Sequence, residues 1–364
     1  MALDGIYLYL LKNEIKEKLL GFRVDKIYQP SREEILFTFR TYDGMVKLLL
    51  SAKADCPRIQ LTTHNGENPK KPPMLTMLLR KHLGGAKLVD IQQEGFERIL
   101  TLVFDAKNDL GDPVTFRLII EIMGRYSNII LVDNKGRIVE CIKRIDSLKS
   151  SVREILPGLE YKLPPQQNKM NILTDDIRDI AFAINSLNMK KSKAVQEVMQ
   201  GVSPIVAREI ENGMTLEDLK AKIANPKPTI VILDKPKDFT FFEPKQYGDL
   251  CKYKNFDSFS ELIDYFYYEQ VRIDRIRQRS NDLFHHLTTL QERALRKSFN
   301  RQRELDECKD KEKLRINGDL INANLHRLKK GAVFYDLENF YDNNLIIKIS
   351  ADPTLTPVQN AQKY

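Results

Sequence analysis

Tryptophan is absent from this chain of 364 residues, and cysteine and histidine are scarce, at four and five residues. Cys56, Cys141, Cys251 and Cys308 stand far apart, with no Cys-x-x-Cys pair and no histidine at ligand spacing. That pattern excludes a zinc ribbon or a disulfide-stapled scaffold and fits the reduced, structural thiols of a cytoplasmic protein. Neither a metal nor a cofactor is expected. Long apolar runs are missing too: none without charge approaches the roughly 18 residues that span a bilayer. Asp4, Lys12, Glu14, Lys16 and Glu17 interrupt any apolar core near the N-terminus, so neither a secretion signal nor a membrane partner is expected. There is no P-loop, no Gly-rich dinucleotide turn and no nucleophile–base constellation. Glu33 adjoins Glu34 and Asp175 adjoins Asp176, but adjacent acids are ordinary on a surface. No catalytic residue is expected, and binding is a better reading than an enzyme.

What is there supports folded cores, with 42% apolar against 30% charged residues. The length predicts two or three domains rather than one core. A net charge of +8 and a pI near 9.0 fit a polyanionic partner such as nucleic acid, or simply a solvated basic face.

The most informative stretch is Glu-Ile-Met-Gly-Arg-Tyr-Ser-Asn-Ile-Ile-Leu-Val-Asp at 121–133. Before it, Val114, Phe116, Leu118, Ile120 and Ile122 alternate with the period of a half-buried strand. After it, Ile129, Ile130, Leu131 and Val132 run on as in a strand covered on both faces. Gly124 makes a sharp turn cheap. Arg125, Tyr126, Ser127 and Asn128 then form either an ordinary β-turn or a polar edge whose hydrogen-bond donors sit on a rigid support.

The remainder reads as α+β. Leu3, Ile6, Leu10, Leu11, Ile15 and Leu19 predict a helix over 3–20, with Asp4 placed to cap it. Residues 34–40 and 45–51 flank an Asp-Gly hairpin turn, 59–62 add a short strand, and 64–73 form a polar loop. Pro72 and Pro73 open a helix stopped by Gly84 and Gly85. Its last turn carries Arg80, Lys81 and His82, which complement the helix dipole or contact RNA. Glu97 and Arg98 open a strand running to Phe104 and point to opposite faces, which argues against a simple ion pair between them. Lys143, Arg144, Lys149 and Arg153 form a basic cluster ahead of Arg-Glu-Ile-Leu-Pro-Gly at 153–158, and Pro164 with Pro165 marks a boundary.

Residues 173–225 are helical in character. Lys190, Lys191 and Lys193 precede a turn through Gly201, Val202, Ser203 and Pro204 between two short helices, which reads as a helix-hairpin-helix. Such a turn offers backbone amides and a helix start to phosphate, or is a plain packing unit. After a Pro-rich linker, 229–233 and 238–242 are strands that could rejoin the first sheet. Ile273, Ile276, Ser280, Leu283, Leu287, Leu290 and Ala294 set a coiled-coil seam that is lost at Lys297 and Arg301 and restarts out of register at Leu305 and Cys308. Arg293, Arg296, Lys297, Arg301 and Arg303 give that helix a basic face, solvated or turned to rRNA. Residues 322–331 predict a helix closed by Gly331, followed by strands at 333–337 and 344–350.

Several of these stretches together resemble the NFACT family, whose older name is fibronectin/fibrinogen-binding protein. They are the 121–133 motif, Leu-Leu-Arg-Lys-His-Leu at 78–83, the acidic–Arg pair of Glu97 and Arg98, the 153–158 segment, and 352–364, which is similar to the lead into the family's second coil. The resemblance covers essentially the whole chain. It implies an N-terminal β-rich domain (1–170) like that of formamidopyrimidine-type DNA glycosylases, then a helix-hairpin-helix domain (171–225). A linker with strands (226–258), a first coiled-coil helix (259–317) and a small α/β middle domain (318–364) would follow. The second coil and the family's C-terminal domain would lie outside this chain.

The function implied is that of a ribosome quality control factor. Such a factor binds a large (50S) ribosomal subunit blocked by peptidyl-tRNA and recruits tRNA-Ala for template-free alanine tailing, while the ribosome makes the peptide bond. Asp4, Glu97, Arg98 and Arg125 would face tRNA, and Lys190, Lys191, Gly201 and Ser203 would meet phosphate. The long helix would reach toward a ribosomal stalk-base protein, and a small Hsp15-like RNA-binding protein, RqcP, would be a further partner. Two positions depart from the family pattern: Glu97 stands where Asp is common, and Tyr126 where His is common. A His could titrate near neutral pH and a Tyr cannot, so the turn reads as a rigid binding edge. Position two is Ala2, without the N-terminal proline nucleophile of the glycosylases, which counts against a DNA-lesion enzyme. A surface adhesin, as the older name suggests, would need export.

Overall fold

Helix α1 (Gly5–Leu19) begins where Asp4 accepts the Tyr7 amide at 2.7 Å, so the N-cap expected from sequence is formed. The computed structural model describes residues 3–364 except 65–71, 109, 149, 151, 166 and 235, and gives the backbone alone for 249–250, 269–279, 282 and 308–310. The chain divides into two units, 1–272 and 273–364.

In the first unit nine antiparallel strands form one sheet, interrupted in sequence by a second helix. They are β1 (Arg23–Ser31), β2 (Glu34–Thr41), β3 (Gly44–Ser51) and β4 (Arg58–Thr62), then α2 (Met74–Leu83). After it come β5 (Lys87–Gln92), β6 (Ile99–Lys107), β7 (Pro113–Glu121), β8 (Asn128–Val132) and β9 (Ile138–Cys141). The order β4-β3-β2-β1-β5-β6-β7-β8-β9 makes two meanders joined at β1 and β5. The predicted hairpin forms with Thr41 opposite Gly44, so Tyr42 and Asp43 are the loop and Gly44 follows it at φ +117°. The half-buried alternation expected for β7 fails at its end. Ile119 joins Ile99, Ile130, Val132, Ile138, Cys141 and Ile155 in a second core on the opposite face. Glu34 is not a surface acid either: it is 1% exposed and paired with Lys53 at 3.1 Å and Arg58 at 3.4 Å.

Helices α3 (Ile177–Ser186), α4 (Lys191–Val198), α5 (Pro204–Glu211) and α6 (Leu216–Ala224) follow. Strands β10 (Thr229–Ile232), β11 (Pro236–Thr240) and β12 (Lys252–Asn255) form a sheet of their own, so the predicted strands do not extend the first sheet. Their apolar side chains join the main core instead, with the Tyr7 and Phe239 rings edge to face at 5.0 Å. Packed on both sides, α1 is apolar all round in its first two turns (Gly5–Leu11), while its second half carries Lys12, Asn13, Glu14, Lys16, Glu17 and Lys18.

Helix α7 (Phe259–Ala323) is rooted on α1. Glu14 accepts the Phe259 amide at 2.6 Å, the Ser260 amide at 3.2 Å and the Ser258 hydroxyl at 2.9 Å, a carboxylate placed at a helix N-terminus. Asp264 and Ser260 of the same helix bond Gln60, Thr62 and the Leu61 amide, which closes the edge of β4.

In the second unit, the end of α7 packs against a hairpin of β13 (Phe334–Asn339) and β14 (Leu345–Ser350) and against α8 (Pro357–Lys363). The separate helix expected at 322–331 is absent. Helix α7 ends at Ala323 and turns follow, because Asn324 and Gly331 (φ +98°) favour turning over helix. Of the proposed seam, Leu283, Leu287 and Leu290 are exposed, while Ile273 and Ile276 lie outside the described side chains.

One contact in the first unit allows no side chain. A Cβ on Gly5 would stand 1.7 Å from the Phe96 carbonyl oxygen, and one on Gly201 (φ +71°) 2.4 Å from Phe96 Cβ. Gly201→Ala combines left-handed strain with overpacking, so a loss of roughly 2–4 kcal/mol is expected in urea unfolding. Gly213→Ala, at φ +110° but with nothing within 4 Å, should lose only about 1 kcal/mol. Equal losses would refute the close-packing argument.

Candidate functional site

The Gly5, Phe96 and Gly201 contact brings three remote segments together: residues 3–5, the bend at 93–98 before β6, and the turn at 199–203 between α4 and α5. The Ile6 amide donates to the Gly201 carbonyl at 3.2 Å. Around this junction lie two adjoining hollows. One, of about 350 Å³, is lined by Asp4, Gly5, Arg98, Lys169, Gly201 and Ser203 among others. The other, of about 510 Å³, shares Arg98, Lys169 and Gly201 and adds Glu97, Arg117 and Gln200. Five of the eight sequence-predicted residues therefore converge here.

Their roles separate on inspection. Burial pushes the Asp4 carboxyl above its ordinary value, against the pull of the Ser203 hydroxyl, the Tyr7 and Ser203 amides, and Arg98. The Ser203 hydroxyl is buried and lies near Asp4 without closing a hydrogen bond onto any partner. Glu97 accepts Gln200 Nε2 at 3.0 Å, and Gln200 Oε1 accepts the Phe96 amide at 3.0 Å. Gln93 Nε2 donates to the carbonyls of Gly5 and Glu97, at 3.0 and 2.9 Å. Glu97 is thus held in place by amide side chains rather than by Arg98. The Arg98 side chain is exposed, and its carbonyl accepts the Ile122 amide at 2.8 Å, which joins the site to the 121–133 motif.

That motif is mostly structural. Glu121 is fully buried and takes both Arg153 terminal nitrogens, at 2.7 and 2.6 Å, and the Tyr161 hydroxyl at 2.9 Å. The 121–133 and 153–158 stretches are therefore the two halves of one buried ion pair. Ser127 Oγ accepts the Met123 amide, and Asn128 bonds the Ile129 amide and both backbone groups of Lys143. Of the four polar turn residues, only Arg125 and Tyr126 face outward, at the one-turn 3-10 helix Gly124–Tyr126. The Arg125 guanidinium lies 4.7 Å over the Tyr126 ring and donates to its hydroxyl at 2.6 Å. Arg125 lines neither hollow.

The predicted basic cluster is largely neutralised. Lys143 pairs with Glu33, Arg144 with Glu140 and Arg153 with Glu121, while Lys149 lies outside the described residues. Lys190 pairs with Glu211 at 3.3 Å and lines a separate hollow with Arg208 and Lys237, and Lys191 is exposed in the first turn of α4. Gly201 sits against Phe96 and Gly5 and serves the packing of the turn. Sequence reasoning missed Gln93, Arg117, Gln167, Lys169 and Gln200. Only Gln200 carried a signal, its place beside Gly201. Among the described residues no cluster of His, Cys, Asp and Glu could hold a metal, and no helix is long and apolar enough to cross a membrane.

The profile of a family described as NFACT N-terminal and middle domains matches residues 4–364. The chain belongs to the NFACT family. It is 33% identical over 379 residues to the Rqc2 homolog RqcH of Bacillus subtilis, covering 100% of this chain and 66% of that protein. It is 31% identical over 150 residues to the ribosome quality control complex subunit NEMF of Homo sapiens, covering 40% of this chain and 13% of NEMF. The solved N-terminal structure of the fibronectin/fibrinogen-binding protein from Streptococcus suis (FBPS) superposes with a TM-score of 0.66 at 33% identity. That match covers 73% of this chain and 99% of the other. This NFACT chain spans about two thirds of the length of RqcH. Its family is thus one whose named members include ribosome quality control proteins.

Two outcomes follow from the charges. Arg153→Ala strands Glu121 as a buried, unpaired carboxylate and should lower stability by about 3–5 kcal/mol in urea unfolding. Asp4 binds its proton more tightly folded than unfolded. Its stabilising contribution is therefore present below the ordinary carboxylate value and is lost as pH rises through the raised one. Asp4→Asn, which does not titrate, should gain stability relative to the parent between about pH 3 and pH 7. A constant difference across that range would refute the burial assigned to Asp4.

Proposed function

We propose that this chain is the tRNA-gripping part of a ribosome quality control factor. It acts with the large (50S) ribosomal subunit blocked by peptidyl-tRNA and recruits tRNA-Ala for template-free alanine tailing. In this reading the factor positions tRNA and the ribosome makes the peptide bond. One observation carries it: Asp4, Glu97 and Arg98, remote in sequence, meet the 199–203 turn around one cleft whose cations are Arg98, Arg117 and Lys169.

The chemistry supports an RNA strand. Arg98 is exposed and its guanidinium makes no hydrogen bond among the described residues, so it is available to a phosphate. Arg125 and Tyr126 form an outward cation and ring pair close in sequence to Met123, which lines the larger hollow, and would extend the same surface by stacking on a base. The α4 and α5 pair, read as a helix-hairpin-helix, contributes the turn that shapes the cleft. The exposed apolar seam of α7, read as one half of a coiled coil, would carry the second unit toward a stalk-base protein, and RqcP would assist. Such a factor works in the cytoplasm on the ribosome.

The test uses the full-length protein. Arg98→Ala should abolish alanine tailing when it replaces the parent in cells, with the protein still folded. Its affinity for a tRNA-Ala transcript should also fall. Parent binding should weaken about tenfold or more between 50 and 200 mM salt, as a few phosphate contacts require. Tailing that survives Arg98→Ala, or affinity indifferent to salt, would overturn the proposal.

A further inference from the structure

The smaller hollow holds a feature that phosphate binding leaves unused. Next to the cations Arg98 and Lys169 stand the Asp4 carboxylate and the Ser203 hydroxyl. A carboxylate repels phosphate and accepts hydrogen bonds only, so it suits a donor that lies beside a phosphate. Ser203 occupies the N-cap position of α5, where serine normally bonds its own helix, yet its side chain makes no capping bond. It is 4% exposed, and its hydroxyl stands beside Asp4, on whose carboxyl it pulls, without closing a hydrogen bond. A buried hydroxyl that closes no hydrogen bond is rare in a native fold, and one at the wall of a hollow can turn to a ligand there. Ser203 lines the hollow together with Asp4, Arg98 and Lys169.

The donor can be narrowed. Asp4 Oδ1 already accepts the Tyr7 amide at 2.7 Å and the Ser203 amide pulls on the same carboxyl, so at most one carboxylate oxygen has a lone pair to offer the hollow. A guanine edge, presenting two N–H groups in parallel, needs both oxygens. A single hydroxyl needs one, and it can accept from Ser203 in return. On a nucleic-acid strand, the hydroxyl adjacent to a backbone phosphate is the ribose 2′-OH, which DNA lacks. A carboxylate is a known kind of partner for a ribose hydroxyl.

We propose that Asp4 and Ser203 read one 2′-hydroxyl of the bound RNA, so that this hollow separates RNA from DNA while Arg98 and Lys169 hold the neighbouring phosphate. The 2′-OH donates to Asp4 and accepts from the Ser203 hydroxyl. This rests on the tRNA reading above and deepens it.

The experiment is a 2′-deoxy scan of a tRNA-Ala transcript against the full-length protein at one fixed salt concentration. One or two deoxy positions should weaken parent binding by about tenfold, as loss of a hydrogen bond to a charged group predicts. At those positions the penalty should vanish in Asp4→Asn and shrink in Ser203→Ala. Ser203→Ala removes a hydroxyl that closes no hydrogen bond, so its urea midpoint should stay close to the parent's and its smaller deoxy penalty is read on a folded protein. If no deoxy position matters, or if each matters equally in parent and variants, the 2′-OH assignment falls while tRNA binding stands. If the parent binds no tRNA, the reading beneath it falls as well.

Discussion

Three backbones touch where Gly5, Phe96 and Gly201 meet, and the placement of the site depends on that contact. Any side chain at Gly5 or Gly201 would hold apart the start of α1, the bend before β6 and the α4–α5 turn. With none there, Asp4, Glu97, Arg98 and Ser203 come to one place although 199 residue positions separate the first from the last. The contact is reinforced by directional bonds. The Ile6 amide reaches Gly201, and the side chains of Gln93 and Gln200 stitch the same three segments together. Such a junction is stiff, and stiffness is what a binding site needs to hold its groups in register before the ligand arrives.

Charge is divided between building and binding. Glu121 with Arg153, and Glu34 with Arg58 and Lys53, are buried networks that lock loops onto the large sheet. Such pairs add little net stability over apolar residues of the same shape, but removing one partner is costly, so they specify one arrangement. Arg98 and Arg125 are spent differently: both are exposed and close no ion pair among the described residues, although Arg98 stands near enough to Asp4 to pull on its carboxyl. The modest excess of cations in the sequence thus overstates the basic face at Lys143 and Arg144 and understates the cleft. Asp4 stands between the two uses. It caps α1, and its charged form is disfavoured by burial, an arrangement that a purely structural cap does not require.

Much of the fold was legible because periodicity and turn chemistry are local. The α1 cap at Asp4, the β2–β3 hairpin, the proline-opened α2 and the helical character of 173–225 all follow from residues within a few positions of one another. The misreadings have a common cause. Strands β10 and β11 look like any strands in sequence, and whether they extend an existing sheet or start another is settled by partners far along the chain. Glu34 looks like a surface acid until Arg58, 24 residues on, is folded against it. The polar turn at 124–128 reads in sequence as an ordinary β-turn or a polar edge, but Ser127 and Asn128 turn in to satisfy buried backbone amides and carbonyls.

By itself the sequence determined the family, the α+β class and the residue types at the site, because motif, spacing and composition are one-dimensional quantities. It also marked Gly124 as a turn. Only the tertiary structure decided that Glu121 is a structural acid, that Lys190 stands apart from Asp4 and Arg98, and that Gln200 and Lys169 belong with them. The physical reason is that a site is defined by through-space distances of a few ångströms. Those distances are set by which surfaces can pack without a side chain between them, and no local pattern records that.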